Sequence, residues 1–453
     1  MPSSKKIKDI LKHVKECSPG QDEFYQATQE VLYSLKPLLD IDKRYIEYNI
    51  LERIIVPERT VIFRINWLDD AGKIQTNVGY RVQFNSSIGP YKGGLRFHPT
   101  VNLGIMKFLG FEQIFKNALT GLQIGGAKGG SNFDPKGKSD NEIMKFCQAF
   151  MSELYKHIGK HKDVPAGDIG VGAREIGYLF GQYKRLTGEF EGVLTGKGLS
   201  WGGSNTRKQA TGYGSVYFAE NFLNRYNMTL KGKRCAISGS GNVAIYTIEK
   251  LYDMGAIPIS CSDSKGTIYQ KDGIDLKALK VIKEIHHQSL EEYATVDCKC
   301  QYIPVSKYPE GGHAVWHLEC DIAFPSATQN ELTLVDAKAL HKNGCLLINE
   351  GANMPTTEDA LAFIKENKIL FAPGKAANAG GVATSQLEMS QNASMAQWSF
   401  EEVDIKLRTI MQNIFKTAYD TSVEFDCEGD LVTGANIAGF RKVANSMIDQ
   451  GAV

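Results

Sequence analysis

The sequence predicts an α/β protein of two domains with a cleft between them, on three observations. Its 453 residues exceed one ordinary core, since domains run to about 100–200 residues each. In the first half, Arg59-Thr-Val-Ile-Phe-Arg-Ile-Asn-Trp67 and Ile74-Gln-Thr-Asn-Val-Gly-Tyr-Arg-Val-Gln-Phe84 alternate apolar and polar residues, as half-buried strands do, around the turn Asp69-Asp-Ala-Gly72. In the second half, the apolar strand Arg234-Cys-Ala-Ile-Ser238 runs straight into Gly239-Ser-Gly241-Asn242-Val-Ala244 and a helix, and the next strand ends in Asp263. Strand, glycine turn, helix and strand, with an acidic residue about 20 positions past the turn, is the fingerprint of a Rossmann-like dinucleotide-binding unit.

Residues 1 to about 55 carry helical periodicity, as in Phe24-Tyr-Gln-Ala-Thr-Gln-Glu-Val31. The hairpin of 59–84 follows, so the first domain mixes helices and strands. A helix is expected over 139–160, opened by Ser139 as N-cap with Glu142 three positions on. The stretch Gly192 to Arg207, rich in Gly, Ser and Thr, has the composition of a flexible hinge rather than a packed element. In the Rossmann-like part, Ile245 to Gly255 is helical and Ile257 to Ser262 makes the second strand. The apolar runs Asp321–Phe324, Cys345–Asn349 and Ile369–Pro373 each end in a small polar loop, where an open parallel sheet binds its ligands. Helices fill the chain to Val453. The chain divides into residues 1–203, for substrate and oligomerisation, and 204–427, for the dinucleotide, with a helix in 428–453 packing back on the first domain.

Composition narrows the function. Lys and Arg number 52 against 51 Asp and Glu, so no charge imbalance points to nucleic acid or a membrane surface. No apolar run approaches the ~20 residues of a bilayer span. The start, Met1 to Glu16, lacks the apolar region of a signal peptide and reads as an amphipathic surface helix. Nine cysteines are scattered without a repeated spacing, and only Cys298-Lys-Cys300 is a close pair, so they read as reduced thiols of a cytoplasmic protein. His157-Ile-Gly-Lys-His161 lacks the glutamate of a metalloprotease motif, and no metal is expected.

Lys128 is the most telling residue. It stands in Gly121-Leu-Gln-Ile-Gly-Gly-Ala-Lys128-Gly-Gly130, where glycines cost conformational entropy and signal close backbone approaches. Lys92, in Gly89-Pro-Tyr-Lys92-Gly-Gly-Leu-Arg-Phe-His-Pro99, and Lys116, in Phe111-Glu-Gln113-Ile-Phe-Lys116-Asn-Ala118, stand in similar company. A lysine removed from water among other cations loses affinity for its proton and becomes a base. Asp168, in Pro165-Ala-Gly167-Asp168-Ile-Gly-Val-Gly172-Ala-Arg174-Glu175, reads equally as a site carboxylate or a helix N-cap.

Together these motifs, with Gly351-Ala-Asn353-Met-Pro355 and Asn378 to Ser385 followed by Glu388-Met-Ser-Gln-Asn392, resemble the Glu/Leu/Phe/Val dehydrogenase family, and within it the short, hexameric, NADP-linked glutamate dehydrogenases. The resemblance runs almost end to end. It implies Lys128 as catalytic lysine with Asp168 as proton-transfer partner, Lys92 and Ser385 on the substrate's side-chain carboxylate, and Lys116 on its α-carboxylate beside Gln113 and the Gly167 backbone. It implies Thr211, Gly239, Ser240, Gly241, Asn242, Val243, Asn353 and Asn378 around the cofactor. The expected reaction is reversible oxidative deamination of L-glutamate to 2-oxoglutarate and ammonium, by a homohexamer. The chain runs from Met395 through Trp398 into a helix, leaving no room for the long antenna of the animal enzymes.

Two rivals are weighed. A leucine, valine or phenylalanine dehydrogenase needs an apolar pocket, against which Lys92 and Ser385 speak. A non-catalytic dinucleotide-binding protein has no reason to keep Lys128 and Asp168. The cofactor reads two ways. Asp263 would accept from the 2′-hydroxyl of NAD and repel a 2′-phosphate. Against it stand Ser264, Lys265, the downstream His286 and His287, and a carboxylate that can turn away or share its charge with Lys265. The likeness of Ser240 and the Ser-Asp-Ser run to NADP-linked members decides for NADP over NAD.

Overall fold

The computed structural model describes residues 3–296 and 299–452; Met1, Cys298 and Val453, named above, lie outside them. Helices Ser3–Cys17, Asp22–Ser34, Lys36–Ile41, Arg44–Glu47 and Ile50–Ile54 come first. They bury a stripe that includes Ile7, Phe24, Val31 and Leu35. The first sheet contains β1 (Arg59–Leu68), β2 (Ile74–Asn85), β3 (Tyr91–Phe97), β4 (Gly126–Ser131) and β5 (Asp163–Gly167), in the order β1-β2-β4-β3-β5. β1 and β2 form the expected antiparallel hairpin, with Arg59 opposite Gln83 and Leu68 opposite Ile74. β3 runs parallel to both β4 and β5, so these three strands end on the same side of the sheet.

Helix Leu103–Leu119 crosses from β3 to β4 and packs Phe111, Ile114 and Phe115 into the same core as the opening helices. The helix expected over 139–160 spans Asp140–Leu154, opened by a capping box in which the Ser139 hydroxyl accepts from the Glu142 amide. It ends early, in a tight turn at Tyr155–His157. The last helix, Leu431–Asp449, returns to this core through Ile437, Phe440 and Val443, and Lys442 Nζ donates to the Ala118 carbonyl at 3.3 Å.

The second sheet is parallel throughout. It contains β6 (Arg234–Ile237), β7 (Ile257–Pro258), then, after an antiparallel insertion of β8 (Ser260–Ser262), β9 (Gly266–Tyr269) and β10 (Gln301–Pro304), the strands β11 (Ile322–Phe324), β12 (Leu347–Asn349) and β13 (Leu370–Ala372). The order β13-β12-β11-β6-β7 reverses direction at β6, which places the ligand crevice beyond its carboxyl end. The single strand expected over 257–262 is divided between two sheets. The Ser260 hydroxyl accepts from the Ile237 amide at 2.9 Å, taking the place of a ladder bond, and beyond it the chain pairs with β9 instead.

The segment 192–207 is also unlike its composition. Val193, Leu194 and Thr195 are fully buried, and Thr195 N donates to Pro165 O at 2.9 Å. Its glycines allow close packing here: a Cβ on Gly203 would overlap the Lys197 carbonyl. Among the described residues no helix is long and apolar enough to cross a membrane.

Candidate active site

Strand alternation places Lys92, Gly94 and Arg96 of β3 on one face. Lys128, on the neighbouring β4, extends across that face, with its stem against Gly110 of helix Leu103–Leu119. Its ammonium lies 3.3 Å from Asp168 Oδ2, just past β5, and the same oxygen accepts from Arg96 Nε at 2.7 Å. Gly94 makes this possible. A Cβ there would stand 2.9 Å from Asp168 Cβ and 3.3 Å from Lys128 Nζ, and 3.0 Å from the Gly167 carbonyl, which closes the third side.

Burial is the largest influence on Lys128 and lowers its pKa; the Asp168 charge opposes this and Arg96 reinforces it. For Asp168 burial acts upward, but Lys128 and Arg96 together outweigh it and bring the carboxyl to about 2. The result is a lysine inclined to release its proton beside a carboxylate that stays charged. Asp168 does not cap the next helix. Ala173–Thr187 starts from Gly172, whose amide donates to Glu175 Oε2 at 2.7 Å.

Two further cationic groups flank this centre. Lys116, one turn after Gln113 on helix Leu103–Leu119, reaches across the cleft to Asn378 Oδ1 and, at 3.4 Å, to Asn353 Oδ1. Burial and the neighbouring Lys128 lower its pKa to about 8. Gln113, Lys116, Lys128 and Asn353 line one cavity of 330 Å³. Gln113 itself donates to Asn117 Oδ1 at 2.6 Å.

On the other side Lys92 is 1% exposed and donates to Thr195 Oγ1 at 2.8 Å. Burial, then Arg207, holds its pKa well below the lysine range. Ser385 is buried on helix Gly380–Ser394, and its hydroxyl has no hydrogen-bond partner among the described residues. Nor does a hydrogen bond join it to Lys92. One turn on, Glu388 is matched to Lys197 Nζ at 2.8 Å and accepts from the Gly196 amide at 2.9 Å.

Sequence reasoning missed Arg96, Arg207, Thr195 and Glu388 as members of this group. Arg96 was within reach, because the two-residue strand period that aligns Lys92 with Gly94 also includes it. Arg207 and Thr195 lie in irregular chain, where no periodicity marks a direction.

The glycine turn follows β6. Gly239 adopts φ +82°, and a Cβ on it would press within 2.8 Å of the Ser326 carbonyl; its amide donates to Ser262 Oγ at 2.8 Å. Gly241 is the N-cap of helix Asn242–Asp253, no side chain caps the helix, and a Cβ at 241 would meet nothing within 4 Å. Ser240, Gly241, Asn242 and Val243 therefore surround an open helix N-terminus with free amide donors, suited to a pyrophosphate. Thr211, at the start of helix Ala210–Arg225, sits tightly against Gly381.

Asp263 is occupied on every side. Its Oδ1 accepts from the Lys265 amide at 2.9 Å, its Oδ2 from the Leu290 amide at 2.8 Å, and Lys283 Nζ lies 3.3 Å away. The charge it shares is thus that of Lys283 rather than of Lys265, whose side chain is exposed like that of Ser264. The α-helix Leu276–Lys280 passes into a π-helical turn over Val281–Ile285, and from there the chain to Leu290 lies against Asp263, which brings a cation 20 residues away to it. His286 and His287 follow on the same exposed segment, with His287 Nδ1 at 3.1 Å from the Lys283 carbonyl.

The chain matches known proteins along nearly its whole length. Residues 202–451 fit the family described as Glutamate/Leucine/Phenylalanine/Valine dehydrogenase, and residues 57–185 fit its dimerisation domain. The NADP-specific glutamate dehydrogenase of Helicobacter pylori is 61% identical over 98% of this chain and 99% of its own length. That of Escherichia coli is 51% identical over 100% of both chains. A crystal structure of Plasmodium falciparum glutamate dehydrogenase superposes with a TM-score of 0.96 at 51% identity, covering 100% of this chain and 96% of that one. With two family matches over most of its length and a relative at 61% identity, the chain belongs to the glutamate/leucine/phenylalanine/valine dehydrogenase family.

Proposed function

We propose that this protein catalyses the reversible oxidative deamination of L-glutamate to 2-oxoglutarate and ammonium with NADP(H). The observation that carries the reading is the placement of Lys128 against Asp168 with a buried cationic anchor on either side. A five-carbon dicarboxylate needs a partner at each end and a free base in the middle. Lys116, with Gln113 and the Gly167 backbone, would hold the α-carboxylate. Lys92, with Ser385 and, we add, Arg207, would hold the side-chain carboxylate. The unpartnered Ser385 hydroxyl supports this, since a buried hydroxyl without a partner is costly unless a ligand supplies one.

The free amides at Gly241 to Val243, the tight turn at Gly239, and Thr211, Asn353 and Asn378 fit a dinucleotide, which when bound accepts or delivers hydride at the substrate Cα. The protein does the rest. Hydride loss leaves an iminium on the substrate, and Lys128 in its amine form takes a proton from the water that attacks it. Asp168 then passes protons between Lys128 and the departing ammonia, and Arg96 keeps that carboxylate in place and charged. Preference for NADP over NAD is supported by the occupied state of Asp263. With its oxygens bonded to the Lys265 and Leu290 amides and its charge matched by Lys283, it neither seeks a ribose hydroxyl nor strongly repels a phosphate, while Ser264 and Lys265 face outward.

The division into residues 1–203 and 204–427, with a returning helix in 428–453, remains our proposal. It is supported by the two separate sheets and by Phe440 in the N-terminal core. A homo-oligomer, which we take to be a hexamer, is supported by the dimerisation-domain match and by β1. That strand is at the sheet edge with Ile62 54% exposed. Location in the cytoplasm agrees with cysteines 17, 147, 235, 261, 320, 345 and 427, which form no disulfide. The deciding experiment follows NADPH absorbance with 2-oxoglutarate and ammonium, beside NADH and beside 2-oxoisocaproate. Turnover is expected only with the dicarboxylate, and faster with NADPH; equal use of 2-oxoisocaproate would reject the substrate.

A further inference from the structure

The cleft is bridged by one more buried cation, which none of the steps above uses. Lys375 belongs to the short helix Gly374–Ala377 that follows β13, and its side chain is 10% exposed. Its ammonium donates to Glu30 Oε1 at 3.1 Å and to Asn436 Oδ1 at 2.8 Å, and lies 3.7 Å from Glu112 Oε1. These partners come from helices Asp22–Ser34, Leu431–Asp449 and Leu103–Leu119, all packed in the N-terminal core, whereas Lys375 leaves the second sheet. One residue is therefore held by three elements on the far side of the cleft.

The spacing of these contacts matches that of the site. Glu112 and Lys116 are four apart on one helix and share a face. Lys375 and Asn378 are three apart on the opposing turn. Two rungs thus cross the cleft side by side, Glu112 to Lys375 and Lys116 to Asn378. The Asn378 amide has a single fit, since its Nδ2 donates to the Ala352 carbonyl at 3.1 Å and to Asn353 Oδ1 at 2.9 Å, which leaves Oδ1 for Lys116. The start of the turn is fixed separately, by Gly374 N donating to Glu350 Oε2 at 2.6 Å. Stability alone is a poor account of Lys375, because a buried ion pair gains little over well-packed apolar side chains once desolvation is counted.

We propose that Lys375 is a positioning residue for the deamination: pinned across the cleft by Glu30 and Glu112, it fixes the turn that presents Asn378 to Lys116 and to the α-carboxylate end of the substrate. The inference rests on the role given to Lys116 above. In Lys375→Met, Glu112 loses its cation and competes for Lys116, one turn away, so the α-carboxylate meets a misdirected partner.

The test uses the full-length enzyme. Wild-type turnover of 2-oxoglutarate with NADPH comes first, because its absence would reject the functional reading and leave Lys375 out of the question. Given that turnover, Lys375→Met should raise KM for 2-oxoglutarate about tenfold or more, as expected for loss of roughly 1.4 kcal/mol of binding. Kd for NADPH without the dicarboxylate, read by fluorescence, should rise by a clearly smaller factor than KM, since Asn378 is one of several groups placed around the cofactor while Lys116 is the cation assigned to the α-carboxylate. Lys375→Arg should recover most of the affinity. Adding Glu112→Gln to Lys375→Met should recover part of the lost affinity, because it removes the carboxylate that competes for Lys116. A lower Tm with unchanged KM would make Lys375 merely structural and overturn the proposal. If Lys375→Met does not fold, Glu112→Gln decides alone: a severalfold rise in KM upholds the idea and an unchanged KM ends it.

Discussion

Lys128 shares its carboxylate neighbour with a guanidinium, and these two charges pull its proton affinity in opposite directions. Asp168 raises it and Arg96 lowers it, against a background already lowered by burial. In glutamate oxidation the amine form is needed, so kcat/KM should rise with pH until Lys128 is deprotonated. Removing the lowering charge with Arg96→Met should move that acid limb to higher pH. Asp168→Asn removes the raising charge and should move the limb of its residual activity lower. Limbs that shift together, or not at all, would show that another group titrates there. Lys128→Ala should lose more than about a thousandfold in kcat, within the ~10²–10⁴ of a general base, while NADPH still binds. Retention of a tenth of the activity would take the chemistry away from this residue.

At the scale of the element, β3 does more than carry side chains. Its glycine pair lets β4 and the loop after β5 close around Lys128, and its alternation sets Lys92, Gly94 and Arg96 in a row. Gly94→Ala should therefore damage catalysis by displacing the Lys128–Asp168 contact, at an overpacking cost of about 1–3 kcal/mol in stability. Full activity with a wild-type Tm would mean that the strand has slack to absorb a methyl group. Much of this was legible beforehand. The hairpin 59–84, the helix capped by Ser139 and the strand-turn-helix at Gly239 announce themselves through period and capping, which are local. What was not legible depended on contacts distant in sequence. Ser260 replaces a ladder bond and splits a strand, Lys283 reaches Asp263 beyond a π-helical turn, and in the glycine-rich 192–207 the stretch 193–195 is buried, with β5 and Glu388 taking up the amides of Thr195, Gly196 and Lys197.

For the molecule as a whole, the decisive fact is the charge gathered in and beside the cleft between helix Leu103–Leu119 and the loops of the second sheet. Lys92, Lys116, Lys128, Arg96 and Arg207 stand in or beside the cleft, while Glu388 is already matched to Lys197 and Glu112 to Lys375, and burial raises the Glu350 carboxyl beside them to about 7, so Asp168 is their main counterweight among the described residues. Like charges confined out of water oppose compaction. A dianion that fits between the anchors relieves this in the folded protein alone, and a ligand bound only by the native state stabilises it by about 2.7 kcal/mol at a hundred times its Kd. Thermal unfolding should accordingly shift upward with 2-oxoglutarate, less with a monocarboxylate of equal length, and less again at high salt. An equal shift for both acids would mean that only one anchor senses charge. The same cleft that selects the substrate thus makes it a folding partner, and the protein's lifetime in a cell would rise and fall with the supply of the compound it converts.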